Sequence, residues 1–174
     1  ADLTLFSGDY RAGERTFDLL TQAAGRAGRG DVPGKVVIQT YKPDNYAITA
    51  AASQNYRAFY DIEEAYRSLM RYPPEWNMMV IMGTGMDEEQ LANIMDRMYS
   101  LIRGKYINAG HLSVIGPSEP AISKIKDVYR RVLYIKHRDY RMLVDVKDYV
   151  EEWLKENGEN DVSVFFDLNP VNMY

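Results

Sequence analysis

The chain has 174 residues, of which 46% are hydrophobic and 26% charged, as is usual for a globular protein. It contains no cysteine, which excludes a disulfide framework and thiolate metal sites. No apolar run reaches the roughly 18 residues of a membrane span and no basic leader precedes an apolar stretch, so we expect neither a span nor a signal peptide. The net charge of -4 argues against a uniformly basic nucleic-acid-binding surface.

The first predicted element is a helix over residues 11–27, where Phe17, Leu20 and Ala24 recur at helical spacing. At about 100° per residue, Gln22, Arg26 and Arg29 fall within roughly 60° of one another and form one stripe. Arginine suits planar, bidentate contact with phosphate. Spacing alone, however, favours a solvated basic helix end that glycine terminates. Phosphate chemistry is therefore a hypothesis that the flanking sequence must support.

Glycine and proline between residues 28 and 34 predict a turn, and three consecutive β-branched residues then predict a buried strand over residues 35–41. A helix is expected to begin at Pro43-Asp44, and another over residues 55–71. The latter carries four aromatic residues at helical intervals: Tyr56, Phe59, Tyr60 and Tyr66. Such residues can stack on bases, but we favour packing in a core or between domains.

Paired prolines at Tyr72-Pro73-Pro74 predict a boundary between two parts. Beyond it, periodicity predicts four strands and two helices: strand 78–82, helix 87–103, strands 112–115 and 129–136, helix 140–157 and strand 162–168. This βαββαβ order is the split βαβ arrangement, with both helices on one face of a four-stranded antiparallel sheet. Its core is expected to contain alternating strand residues: Met78, Val80, Leu112, Val114, Leu133, Ile135, Val164 and Phe166.

The residues around the helical stripe resemble a known family. Gln-x-x-Gly-Arg-x-Gly-Arg, residues 22–29, has the shape of motif VI of superfamily 2 helicases. Further matching segments stand in order along the chain: residues 9–15, 33–41, 43–44, 47–48, 56–60 and 72–74, and more loosely 115–117, 125–126, 129–130 and 167–170. Together they resemble the C-terminal portion of the PriA family of bacterial primosomal replication-restart helicases. One departure is Glu75-Trp76, where the family usually has an apolar aromatic residue.

The resemblance implies an α/β fold class: residues 1–74 end a second RecA-like helicase lobe, and residues 75–174 form a small α+β domain of the split βαβ, ferredoxin-like type. Because the chain starts inside the block of motifs, we expect it to be a piece of a longer protein. In that parent, Gln22, Arg26 and Arg29 would face ATP, with Arg29 as arginine finger, Arg26 as phosphate contact and Gln22 coupling the site to lobe closure.

Cofactors and activity are implied for the parent protein only. No Gly-x-x-x-x-Gly-Lys-Ser/Thr loop is present, so ATP and magnesium need an absent first lobe, and this piece alone is expected to lack ATPase and helicase activity. Zinc belongs to an upstream cysteine-rich segment of such helicases, and no metal is expected here. The family implies ATP-driven 3′ to 5′ unwinding in the bacterial cytoplasm. Its implied partners are forked and single-stranded DNA, single-strand-binding protein and primosome proteins, with no membrane.

A second hypothesis is that the βαββαβ unit is a non-catalytic recognition module. The stretch from residue 124 to 147 is basic, whereas residues 148–167 are acidic. Five cations are candidates for contact with DNA or with the acidic tail of single-strand-binding protein: Arg130, Arg131, Lys136, Arg138 and Arg141. A mixed-charge surface stripe explains them equally well. A small-molecule regulatory domain is a third possibility, resting on architecture alone.

Overall fold

The computed structural model describes residues 1–27, 35–171 and 173, and it divides into two compact units. One comprises Ala1–Met70 together with Met173, and the other begins at Arg71, next to the Tyr72-Pro73-Pro74 stretch. Arg29, the proposed arginine finger, lies outside the described residues. Within those residues, no helix is both long enough and apolar enough to cross a membrane.

The first unit is helical, with α1 at Asp2–Leu5, α2 at Ala12–Ala27, α3 at Tyr46–Ala52 and α4 at Tyr56–Leu69. Asparagine begins two of these helices, because its side chain satisfies a backbone N–H that the first turn leaves unpaired. Asn45 accepts from Ala47 at 2.9 Å, and Asn55 accepts from Ala58 at 3.0 Å. The three longer helices bury a small core: Phe17, Ala47, Ala50, Ala51 and Phe59. The helices predicted in this unit are confirmed.

The strand predicted over residues 35–41 is wrong, since that segment has no regular structure. Val36 is 40% and Val37 is 82% exposed, so these apolar side chains are not in a core. A strand exists only through backbone pairing with a neighbour, and no residue described in the first unit belongs to one. The segment is instead held at its end by Asp2, whose carboxylate accepts from Thr40 Oγ1 at 2.8 Å.

The described residues of the second unit form seven elements: β1 at Asn77–Gly85, α5 at Glu88–Tyr106, β2 at Ser113–Ser118, β3 at Lys124–Ile125, β4 at Val128–His137, α6 at Tyr140–Asn157 and β5 at Val162–Leu168. All strand pairs are antiparallel, in the order β2-β4-β1-β5, with β3 paired to β4. The predicted βαββαβ order is therefore present, and β3 is an addition. A two-residue turn at Lys126 and Asp127, both at positive φ, joins β3 to β4.

The core of the second unit lies between the sheet and its two helices. Met79 and Ile81 of β1 face α5 and α6 together with Leu133 and Ile135 of β4. The prediction named Met78 and Val80 as core residues of the sheet without deciding which face of β1 is buried. Both are fully buried, but alternation puts them on the opposite face of the sheet. An unbroken apolar run such as residues 78–82 carries no alternation from which the inward face can be chosen.

Candidate functional site

Helix α2 carries the described part of the glutamine-arginine motif. Its first half is buried at Ala12, Gly13, Thr16 and Phe17, whereas Gln22, Ala23, Gly25 and Arg26 in its second half are exposed. Gln22 and Arg26 are four residues apart and so lie on one face of the helix. A Cβ atom added to Gly25 would have nothing within 4 Å, so the backbone beside Arg26 is also accessible.

A buried polar network holds the first half of α2 against α4. Arg67 Nη2 donates to Glu14 Oε2 of α2 at 2.6 Å, and Arg67 Nε donates to Glu63 Oε1 at 2.7 Å. The second oxygen of Glu63 accepts from the Tyr46 hydroxyl at 2.5 Å, so this carboxylate also ties α3 to the pair. The Arg67 guanidinium lies 5.5 Å from the centroid of the Tyr10 ring, within cation–π range. The Glu63–Arg67 pair of α4 therefore joins α2, through Glu14, and α3, through Tyr46.

Protonation equilibria in this network follow from burial and pairing. Burial lowers the pKa of the Arg67 guanidinium, but its hydrogen bonds to Glu14 and Glu63 outweigh burial, and the net shift is upward. Burial, followed by the hydrogen bond to Glu63, raises the pKa of the Tyr46 hydroxyl far above its ordinary range. Arg67 thus stays charged and Tyr46 stays neutral at any physiological pH.

The space around Gly13 is filled by the same network. A Cβ atom at this position would lie 2.8 Å from Glu63 Oε2 and closer still to the Tyr46 hydroxyl oxygen. Glycine is therefore what allows α2 to approach α3 and α4 closely. Sequence reasoning identified the segment containing Gly13 and Glu14 as part of the family resemblance, but it assigned neither residue a role.

The aromatic residues of α4 divide into two groups. Phe59 is 4% exposed and stacks on Phe17 of α2, with ring centroids 4.4 Å apart. Tyr56, Tyr60 and Tyr66 are 63%, 39% and 44% exposed. The expected packing role is therefore confirmed for Phe59, which forms the apolar anchor of α2.

The five candidate basic residues do not lie on one surface. Arg130 and Lys136 project from the same face of β4 but are six residues apart, about 20 Å along an antiparallel strand. Arg131 projects from the other face and approaches Glu88 at 3.8 Å. Arg138 and Arg141 are exposed, at the end of β4 and in the first turn of α6. The structure thus brings Lys136, Arg138 and Arg141 to one end of the sheet and leaves the other two at the opposite end.

Lys136 is the most deeply buried of these cations, at 5% exposure, and its Nζ lies 3.5 Å from the centroid of the Tyr72 ring. Beside it, the Arg71 and Arg138 guanidiniums lie 5.0 and 5.4 Å from the centroid of the Trp76 ring. Burial, followed by the charge of Arg71, lowers the pKa of Lys136 to about 8. Sequence reasoning missed Arg71, Tyr72 and Trp76 as members of this cation–aromatic cluster. The sequence did offer a signal for this cluster, because Arg71, Tyr72 and Trp76 place a cation and two aromatic rings within six residues at the predicted boundary.

An open cleft of about 720 Å³ lies at the start of α5 and is acidic in character. Its lining is Met86, Asp87, Glu89, Gln90, Asn93 and Asp161. Asp87 caps α5 by accepting from the Gln90 N–H at 2.9 Å, as its position before the helix predicts. In residues 1–27, 35–171 and 173, no group of three or more His, Cys, Asp or Glu side chains could hold a metal ion.

Comparison with known proteins identifies this combination of elements. Residues 68–171, which contain the whole sheet and both of its helices, match the family model described as the primosomal protein N C-terminal domain. The chain is 34% identical to the replication restart protein PriA of Bacillus subtilis and 30% identical to that of Synechocystis sp., each over 99% of its length. With PriA of Thermotoga maritima it shares 33% identity over 79% of its length. The chain belongs to the PriA family of replication restart proteins.

The chain spans about a fifth of the length of the curated relatives it matches, at 21%, 20% and 18% of these three proteins. Among solved structures, the de novo designed protein Foldit4 gives a TM-score of 0.39 at 15% identity, covering 53% of this chain and 97% of that one. That likeness is too low to define a fold. The family resemblance inferred from the ordered motifs is confirmed.

Proposed function

We propose that the chain is the C-terminal part of an ATP-dependent 3′ to 5′ DNA helicase that acts at stalled or forked DNA and assembles the primosome. In this proposal residues 1–74 end the second RecA-like lobe, and the nucleotide lies between this lobe and another that carries the phosphate-binding loop. The supporting observation is the exposure of Gln22 and Arg26 on one face of the second half of α2, at the spacing of the helicase motif.

The side chains on this face suit a nucleotide phosphate. The Arg26 guanidinium offers a positive charge and several N–H donors in one plane, and Gln22 adds an amide donor. Bound ATP and magnesium would supply the phosphoryl group and part of its charge neutralisation. Arg26 would contact the phosphate oxygens, Gln22 would sense closure of the two lobes, and Arg29 would stabilise the charge that develops during transfer.

The test is Arg26→Ala in the full-length protein. DNA-stimulated ATP turnover should fall by about 100-fold or more and nucleotide binding should weaken, because a donor to the phosphate oxygens is lost. Arg57→Ala is the matched control, since it removes a guanidinium of the same unit that is 81% exposed, pairs with Asp61 and lies 5.9 Å from the centroid of the Tyr60 ring. Arg29→Ala should abolish DNA-stimulated ATP turnover while nucleotide binding survives, because it removes a donor to the charge that develops during transfer. Undiminished turnover in both motif variants would contradict the assignment.

A second function, recognition of an anionic partner by the βαββαβ unit, is favoured by the cation–aromatic cluster. Arg71, Lys136 and Arg138 gather positive charge over two aromatic rings, where phosphates of forked DNA or the acidic tail of single-strand-binding protein can bind. Arg138→Ala should weaken binding of the chain to one of these ligands at low salt. Arg130→Ala, at the far end of β4, is the control. Absence of binding to both ligands would exclude the module.

A further inference from the structure

Among the described residues, the motif helix α2 is buried mainly in its first half. All of its buried residues lie between Ala12 and Phe17, and Leu20 still packs on the three-helix core. From Thr21 to Ala27, the turns that carry Gln22 and Arg26, no residue is buried. The direction of these turns depends on the contacts that fix the first half of the helix.

Two different contacts join the fixed half to α4. Phe17 stacks on Phe59 with an interplanar angle of 13°, which supplies apolar burial. The Arg67 guanidinium is directional: its Nε and Nη2 donate along separate lines to Glu63 and Glu14. Glu63 belongs to α4 itself, so the bond from Arg67 to Glu14 is the one that carries this direction from α4 to α2.

The length of α2 amplifies any change at this anchor. Arg26 lies twelve residues after Glu14, about 18 Å along the helix axis. A rotation of α2 by about 3° around the anchor would displace the Arg26 guanidinium by about 1 Å. A misplacement of this size at a reacting centre can reduce turnover by about 100-fold.

We propose that the Glu14–Arg67 ion pair is a positioning contact for ATP hydrolysis, setting the angle at which α2 presents Gln22 and Arg26 to the nucleotide. This inference rests on the proposed function. Glu14 and Arg67 touch no nucleotide in this account and act only through the direction of α2. Lysine cannot replace Arg67, because an ammonium group does not hold two carboxylates in a fixed planar geometry.

The experiment is Glu14→Gln in the full-length protein. The Glu14 side chain is 45% exposed and Arg67 keeps its bond to Glu63, so the fold should tolerate the change. We expect kcat for DNA-stimulated ATP hydrolysis to fall about tenfold, with KM for ATP and the stoichiometry of nucleotide binding unchanged. Glu14→Asp, which keeps the charge, should recover part of the loss. Asp61→Asn is the control, because it removes an exposed carboxylate that pairs with Arg57 on α4.

Each outcome separates this inference from the function on which it rests. If Glu14→Gln keeps kcat within twofold of the parent while Arg26→Ala abolishes turnover, the positioning role is wrong and the nucleotide assignment stands. If Arg26→Ala leaves turnover intact, the assignment itself fails. A fall in kcat matched by an equal fall in binding stoichiometry would reflect loss of folded protein, and Arg67→Lys then decides the question. That variant should lower kcat at full stoichiometry, and an unchanged kcat would overturn the positioning role.

Discussion

Two glycines of the βαββαβ unit should respond in opposite directions to the same substitution. Gly83 lies in β1 on the face covered by α5, and a Cβ atom there would lie 2.6 Å from Met95 Sδ and 2.9 Å from Leu91 Cδ1. Both neighbours are completely buried, so neither can move aside into solvent. Gly104 lies in α5 itself, is exposed, and has nothing within 4 Å of its Cβ position.

The magnitudes follow from packing and backbone entropy. Overpacking a filled core destabilises a protein by about 1–3 kcal/mol. Alanine also lowers the backbone entropy of the unfolded chain, which offsets less than about 1 kcal/mol of that loss. Gly83→Ala should therefore destabilise the second unit by about 1–2 kcal/mol. Gly104→Ala places a better helix former in open space and should stabilise it by about 0.5–1 kcal/mol.

Urea denaturation of the 174-residue chain, followed by tryptophan fluorescence, measures this difference selectively. The chain has 2 tryptophans, Trp76 and Trp153, and both belong to the second unit. At an m-value of about 2 kcal/mol/M, the Gly83→Ala midpoint should fall by about 0.5–1 M and the Gly104→Ala midpoint should rise. An unchanged or raised midpoint for Gly83→Ala would refute the close approach of α5 to the sheet.

Two further predictions concern buried charges. The pKa of Lys136 falls from 10.5 to about 8 on folding, so between these pH values the unfolded state binds more protons than the folded state. The free energy of unfolding of the second unit should therefore rise by about 1 kcal/mol from pH 7 to pH 9. Lys136→Met should abolish that rise in urea titrations, and its persistence would contradict the account. Glu63→Leu should destabilise the first unit by about 2 kcal/mol, since Tyr46 and Arg67 lose their shared acceptor, with Glu64→Leu as the exposed control. Hydrogen exchange of α4 amides measures it, and equal protection in both variants would contradict it.

The periodicity of apolar residues was sufficient to predict those helices and strands that show a clear repeat along the chain. Helix 140–157 and strand 162–168 were predicted with the boundaries that α6 and β5 have, because each combines a clear period with a residue that begins or ends it. The motif helix was predicted to within a residue for the same reason. The β3 strand was missed, since two residues cannot display an alternation.

The candidate site was only partly readable from the sequence. Gln22, Arg26 and Arg29 follow from spacing and from the family motifs, and the i,i+4 pair of Glu63 and Arg67 could have been found on α4. Glu14 could not have been joined to that pair, because 53 residues separate it from Arg67. The sequence showed that the stretch containing β4 is rich in basic residues. How these residues divide between the two faces and the two ends of the sheet depends on the pairing register of β4.

The sequence by itself thus determined the helices, most strands, their order and the family, because these follow from side chains that are neighbours along the chain. Only the tertiary structure decided which face of β1 meets α5 and α6, why residues 35–41 form no strand, and how Arg67 fixes α2. Each of these depends on a partner distant in sequence. A strand or an ion pair is completed by whatever the fold brings beside it, and no local pattern records that choice.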